Sequence, residues 1–476
     1  MGEKEGDGYM VLPVVPVKKT AVTASKKLTF KEKLSYGFGD IGNGLMFDMG
    51  QLYLLKFYTD VLGISAYWGG LVFLISKIFD AFADTSVGAF VDSRTNISKR
   101  GKFRPFILWG TVPLALMTVI SFIAPDFSDN GKIVWAFVTY MGFGLAYSIV
   151  NIPYGSLSAA MTQDPIDRAS LGSFRAIGSQ MALLISGIAV IPIVVQFANK
   201  EVGYIVAIAA MAIFGILFHL ICYHNTTENI IRAPKNEKVP LTTLFKALVS
   251  NRPLIVLCLA ALFMITSSNI RNAVQLYYLE YNLKNPELMS ILSFLSIGLA
   301  VVGSMFIPAM VKRIGKKNTF MLGLVVCIAS DVLNFVLPTS TATFLTIFSL
   351  GNFGLSFALG LPWVMIADSI DYHEWNSGER TEGVVYSTYS FFRKLAQALA
   401  GFIPGVALGL IGYVPNIQQS ADTLLGLKGL LFLAPAALNI IGLIILFFFY
   451  NLTENLYNKI VADLIERNKD NEPDLN

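Results

Sequence analysis

The sequence predicts an all-α membrane protein of twelve transmembrane helices, arranged as two six-helix bundles. Three observations carry that prediction. The 476-residue chain is 54% hydrophobic and 14% charged, against about 25% charged residues in a soluble domain, and its mean hydropathy is +0.59. Twelve apolar stretches each approach the roughly 20 residues that a spanning helix needs. A polar connector divides them six and six. The three cysteines, Cys222, Cys258 and Cys327, lie singly in apolar stretches. No CxxC or Cys/His cluster accompanies them, which argues against disulfides or zinc and for small buried hydrophobes. The formal charge of +4 reflects the Lys and Arg excess that topology imposes on membrane proteins, and points to no nucleic acid.

Taken in order, residues 1–33 hold Lys18, Lys19, Lys26, Lys27, Lys31 and Lys33 but no apolar core. They are expected to form a disordered, basic cytoplasmic tail, not a signal peptide. Spans are expected near 36–58, 68–91, 104–124, 132–152, 176–197 and 203–223, within an N-terminal bundle of residues 34–225. The connector, 226–250, includes "LTTLFKALVS" (241–250), which has the pattern of an amphipathic helix. Six further spans are expected near 253–279, 287–310, 318–337, 343–367, 384–412 and 427–450, within a C-terminal bundle of residues 251–452, and a polar tail covers 453–476.

Basic loops set the orientation. Arg94, Lys99, Arg100, Lys102 and Arg104 follow the second span; Arg232, Lys235, Lys238 and Lys246 mark the connector; Lys312, Arg313, Lys316 and Lys317 follow the eighth span. The intervening loops "TDVLGIS" and "PTSTAT" carry no Lys or Arg. Both termini and the connector are therefore expected in the cytoplasm, with the chain in the cell membrane. Basic loops at matching places in the two halves point to parallel six-helix repeats, the construction of the major facilitator superfamily.

The second span, "SKIFDAFADTSVG", holds Lys77, Asp80 and Asp84. At about 100° per residue, Asp84 lies about 40° from Asp80 and Lys77 about 20° from Asp84, so the three share one stripe. A charge at the bilayer centre costs on the order of 3 kcal/mol, so the stripe must face protein or water. It is either a structural ion pair with a spare carboxylate or a cation site, in which two carboxylates one turn apart raise each other's proton affinity or hold a metal cation. Other polar groups sit at membrane depth: Asn43, Asp48 and Lys56 in the first span, Tyr147, Ser148 and Asn151 in the fourth, Arg175 opening the fifth, and Asn269 and Arg271 in the seventh. Asp331 in the ninth, Trp363 in the tenth and Lys394 in the eleventh complete the set. Spread over both halves, they suggest a polar cavity fit for a sugar, with hydroxyls held by carboxylates, amides and Arg and a ring stacked on Trp or Tyr.

Several stretches carry a family resemblance: "LSYGFGD" (34–40), "FYTDVLG" (57–63), "FDAFAD" (79–84), "RGKFRPF" (100–106), "YSIVNIPYGSL" (147–157), "RIGKKNTF" (313–320), "ADSIDYHEW" (367–375) with Arg380 and "EG" (382–383), "YS" (386–387) and "RK" (393–394). In combination the chain resembles the glycoside–pentoside–hexuronide:cation symporters, the melibiose-carrier group of the major facilitator superfamily, from about Leu34 to Gly412. The resemblance implies a secondary active transporter and no enzyme, with no cofactor beyond a coupling ion. It implies that Asp80 and Asp84 form the cation site, that Ser148 assists, and that Arg175 and Lys394 serve sugar binding or coupling; Lys77 would tune the site. Sodium-using members have Asn where Ala83 stands, so H+ coupling is favoured, with Na+ at Asp80 and Asp84 the alternative and no other metal. Melibiose carriers have sugar-binding Asp residues at the positions of Gly44 and Asn151 and an aromatic at Gly155. The version here looks more like the glucuronide and xyloside carriers.

The expected substrate is a small-molecule sugar glycoside, a neutral pentoside or xyloside in preference to a glucuronide, with the lipid bilayer as the other partner and no obligate protein partner. Asn43, Asp48, Tyr147, Asn151, Arg175, Trp363, Lys394 and Arg271 are the candidate substrate contacts, with Arg271 open to neutralisation by Asp331 or Asp48. Asp48 either supplies a displaced carboxylate to the cavity or pairs with Lys56. Asp92, Arg94 and Arg104, facing Asp368, Asp371, Glu374 and Arg380, are candidates for a cytoplasmic gate. The three His residues, His219, His224 and His373, are expected at solvated helix ends or loops. A sugar sensor that moves nothing and an intramembrane enzyme are the competing classes; the short tails weigh against the first, and the lack of a nucleophile–base pair against the second.

Overall fold

The computed structural model describes residues 27–93, 101–229, 251–338, 340–378 and 382–470. The expected tail over 1–26, the 241–250 helix, Arg94 and Arg380 lie outside the described residues, as does the side chain of Asp92. α1 covers residues 30–62: a Thr29–Glu32 capping box opens it, it is α-helical over Phe30–Met49, and two π-type turns, Gly50–Leu54 and Tyr58–Leu62, widen it towards its end before Gly63. α2 (Ala66–Ser93), α3 (Arg104–Ile120), α4 (Asp129–Met161), α5 (Pro165–Val194) and α6 (Lys200–Asn225) complete the first half.

The second half holds α7 (Arg252–Tyr277, with a π-type turn at Tyr278–Asn282), α8 (288–314), α9 (316–336), α10 (Thr341–Ser377), α11 (Glu382–Leu410) and α12 (Ala421–Phe449). Among the described residues, eight helical stretches are long and apolar enough to cross a membrane, with Leu288–Val336 counted as one. α1 and α11 carry several polar groups each, and α3 has only 17 residues.

Several boundaries differ from the sequence expectation. No loop separates α8 from α9: the helix runs through "VKRIGKK" and breaks only at Gly315, at φ 80° and ψ 166°, because Lys and Arg sustain a helix while a positive φ asks for glycine. α5 begins at Pro165 instead of near 176, since the Asp164 carboxylate caps its first turn and proline suits that position. Arg175 is therefore well inside the helix. The C-terminal tail is not extended: α13 (Glu454–Asp470) docks Leu456, Tyr457, Ile460 and Leu464 against the second half, a face with the i, i+4, i+8 spacing of an amphipathic helix. At the other terminus Leu28 and Lys33, expected in the tail, are tied to Asp167 at 2.9 and 2.7 Å.

Within the first half α1 packs on α5 and α6, and α4 packs on α2 and α3; within the second, α7 packs on α11 and α12, and α10 on α8 and α9. The halves meet along three seams: α2 on α11, α5 on α8, and the end of α1 on α7. The up-and-down run of the helices places the starts of α1 and α7 and the ends of α6 and α12 at one end of the bundle, called here the termini end; the other is the far end. All three cysteines are buried and free.

Candidate functional site

The acidic stripe of α2 lies on the seam with α11. Lys77 Nζ donates to Asp80 Oδ2 at 2.9 Å. Ser148, one turn along α4 from Gly144, donates to Asp84 Oδ1, and Lys394 of α11 reaches across the halves to Asp84 Oδ2. Each carboxylate thus faces one ammonium, and two acids with two lysines balance. Asp80 Oδ1 is buried without a hydrogen-bond partner. α4 crosses so close that a Cβ on Gly144 would collide with that oxygen, and a side chain there must displace the carboxylate. Lys77 also lies over the rings of Phe47 and Tyr140 and lines a cavity of about 40 Å³ with Gln51, Asn269 and Gln397, between the halves.

Towards the termini end, Arg175 Nε donates to Asp40 Oδ1 at 3.2 Å and the guanidinium lies 5.1 Å from the Tyr154 ring. A Cβ on Gly155 would sit 3.6 Å from Arg175 Nη1. Tyr147 packs on Phe47 at 4.9 Å; Asn151 Oδ1 is buried and unpartnered. Asp48 does not pair with Lys56. Its Oδ2 is likewise unpartnered and points back towards Gly44, whose added Cβ would lie 3.6 Å from that oxygen and 2.4 Å from Ala182 Cβ. A side chain at 44 is excluded by α5, and the carboxylate of this region comes from one turn later. Trp363, half exposed, stands edge-on to Tyr389 at 5.0 Å.

Arg271 is 2% exposed and pairs with Asp331 through Nη2. It lines a second cavity, of about 110 Å³, that Gln180 of α5 and Asn352 of α10 also face. Asn43 is placed elsewhere than expected: it is buried inside the first half, its Oδ1 3.2 Å from His219 Nε2, while His219 Nδ1 meets Thr111 at 2.7 Å. Packing geometry, not the cavity, uses Asn43. The same contacts correct the expectation for the histidines: His219 and His373 are buried at 0% and 4%, and only His224 is exposed.

Of the expected gate residues, Arg104 turns into its own half, its Nη2 donating to the Tyr223 carbonyl at 2.6 Å. Asp368 takes Lys316 at 2.6 Å, Asp371 accepts from Tyr457 of α13 at 3.0 Å, and the Glu374 carbonyl accepts from Gly378 at the end of α10. The described members Arg104 and Asp368 are thus engaged within their own halves.

Sequence reasoning missed a polar lattice at the far end. Lys56 is 3% exposed and holds Asp60 at 2.5 Å and Glu280 at 2.9 Å, with the rings of Tyr277 and Tyr281 at 4.5 and 4.3 Å. Tyr413 donates to Asp60 at 2.7 Å, and Asn416 donates to the Asp60 carbonyl. Burial, and next the Asp60 carboxylate, push the Tyr413 phenol well above its usual range, so its O–H remains a donor. α1 and α6 meet α7 and the 411–420 loop here, and the far end is shut. The available signal was the charges Lys56, Asp60 and Glu280 near the ends of otherwise apolar spans.

A family model described as MFS/sugar transport protein matches residues 35–454. The chain belongs to that family. Among its relatives, the "Uncharacterized symporter YjmB" of Bacillus subtilis is 47% identical over 94% of this chain and 98% of its own length. A "Putative sulfoquinovose importer" of Escherichia coli is 42% identical over 93% and 95%, and a "Putative 2,3-dihydroxypropane-1-sulfonate exporter" of the same organism 41% over 94% and 98%. The fold is similar to that of a bacterial homologue of the iron transporter ferroportin in its inward-facing state, with a TM-score of 0.63, 13% identity, and coverage of 88% of this chain and 98% of that one. As a member of the MFS/sugar transport family the protein is an integral multi-pass membrane transporter of the sugar-symporter type, not an enzyme.

Proposed function

We propose that the protein imports a sugar across the cell membrane in symport with a proton, by alternating access of one central cavity. The observation that carries this is Asp84, bonded at once to Ser148 of its own half and to Lys394 of the other. It is the one described carboxylate at mid-depth whose ion pair spans the seam. In the proposed cycle the termini end is cytoplasmic and the present state faces inward, shut by the lattice around Lys56. A proton on Asp84 removes the attraction that holds Lys394, because the neutral acid no longer compensates an ammonium. The freed Lys394 then turns to the sugar or to water, and α11 is able to move on α2. The bundles rock about the site, and the charges at the termini end re-pair across the halves.

Sodium is the weaker reading. A hard cation asks for several oxygen ligands, and here both carboxylates already face lysines while Ala83 offers no oxygen. For the substrate, the relatives named for a compound include a 2,3-dihydroxypropane-1-sulfonate exporter, a sulfoquinovose importer, a glucuronide carrier homologue and an isoprimeverose transporter. The more similar of them are named for acidic compounds, which favours an acidic sugar, and the isoprimeverose transporter supports the neutral glycoside as the alternative; one of the names is an exporter's, so direction follows the gradients. The test compares gradient-driven accumulation with exchange in proteoliposomes for wild type, Asp80→Asn and Asp84→Asn. The reading expects Asp84→Asn to lose accumulation while retaining exchange of sugar down its gradient. Accumulation by both neutral variants at the wild-type level overturns the cation-site assignment.

A further inference from the structure

We propose that the cavity lined by Arg271 is an oxyanion subsite that holds the carboxylate or sulfonate of an acidic sugar; this rests on the central cavity being the sugar path. The lining decides the chemistry. Arg271, Asn272 and Gln275 of α7, Asn352 of α10, Gln180 of α5 and several serines contribute its polar groups, and among the described residues no Asp or Glu lines it. The first half carries its acids elsewhere, at Asp40, Asp48, Asp80 and Asp84. A sugar hydroxyl needs an acceptor as well as a donor, and those carboxylates offer acceptors. The Arg271 wall combines a cation and several amide and hydroxyl donors with no carboxylate, so it favours a group that brings negative charge and several acceptors.

The guanidinium is also built for the task. Asp331 is fully buried and takes Nη2, and the Phe348 ring lies 5.8 Å from the guanidinium carbon. These contacts fix the plane. Nε and Nη1 remain buried without a hydrogen-bond partner. Two unsatisfied N–H groups on a buried cation are costly unless something accepts from them, and an oxyanion accepts from such a pair in the two-point geometry that arginine favours. Asp331 moderates the attraction: an anion that meets an already paired arginine is held, yet released. Asn352 donates to Ser296 at 3.1 Å, which ties α10 to α8 beside the pocket.

Arg271 is then the residue that separates acidic from neutral sugars, and Asp331 is its positioning residue. The experiment measures binding and proteoliposome uptake of D-glucuronate, 6-sulfo-6-deoxy-D-glucose, D-glucose and D-xylose. Wild type is expected to favour at least one of the two acids over both neutral sugars by about tenfold or more, the worth of one charge-assisted contact; which acid wins distinguishes carboxylate from sulfonate. Arg271→Gln with Asp331→Asn, which removes the pair together and leaves no lone buried charge, is expected to erase that preference. Equal handling of acids and neutral sugars by wild type overturns the subsite, as does an acid preference that survives the double variant. If no sugar of either kind binds or moves, the sugar-transport reading falls with it; if the neutral sugars alone move, only the subsite falls.

Discussion

Asp84 carries three relationships at once: to Ser148, to Lys394, and along α2 to the Lys77–Asp80 pair. Its neighbour Asp80 is held by an absence. With a Cβ at 144 only 1.9 Å from Asp80 Oδ1, Gly144→Ala displaces the carboxylate. Alanine favours the helix by up to about 1 kcal/mol, so the variant is expected to keep its thermal stability yet lose accumulation about tenfold, the loss of roughly one charge-assisted contact. Paired uptake and melting measurements separate the two effects. At this scale the acidic pair was legible in the sequence, because an ionisable group in an apolar run needs a reason. Gly144 was not, since a glycine that matters for clearance leaves no local signal. Asn43 misled for the converse reason: an amide at membrane depth looks the same whether it faces a cavity or a buried histidine.

Helix α13 shows what sequence patterning gives and withholds among the elements. The stretch 453–476 is polar enough to pass for a free tail, and hydropathy alone takes it so. Its apolar residues nevertheless return at helical spacing, and Ile460 is fully buried. Trp375 donates to Asp463 at 2.9 Å and Tyr457 to Asp371 at 3.0 Å, which fastens α13 beneath α10. Ile460→Asp buries an unpaired carboxylate and is expected to release α13. Limited proteolysis in the 450–453 segment then becomes rapid, while exchange of sugar persists; cleavage no faster than wild type counts against the docking. The spans were legible where length and apolarity coincide, as in the eight stretches long and apolar enough to cross a membrane among the described residues, because the bilayer demands both. Their ends were set by caps such as Asp164 and by Gly315, which hydropathy does not weigh.

For the whole molecule, the far-end lattice and the Asp84–Lys394 pair are the contacts that rocking must exchange. The lattice escaped sequence reasoning because its partners are distant in the chain: Lys56 meets Glu280, and Asp60 meets Tyr413. Lys56→Met removes the cation from a cage of two carboxylates and three tyrosine rings, and is expected to shift the population towards far-end opening. Spin labels at Asp129 and Thr341, exposed on opposite halves at that end, read the change as a longer mean distance; an unchanged distribution refutes the lattice as a gate. Coupling is the claim on which the whole cycle turns, and proton movement tests it most directly. Proteoliposomes are loaded without any gradient, sugar is added outside, and external pH is followed. Wild type should alkalinise the medium as sugar enters and Asp84→Asn should not. Sugar entry by wild type with no pH change would contradict the account.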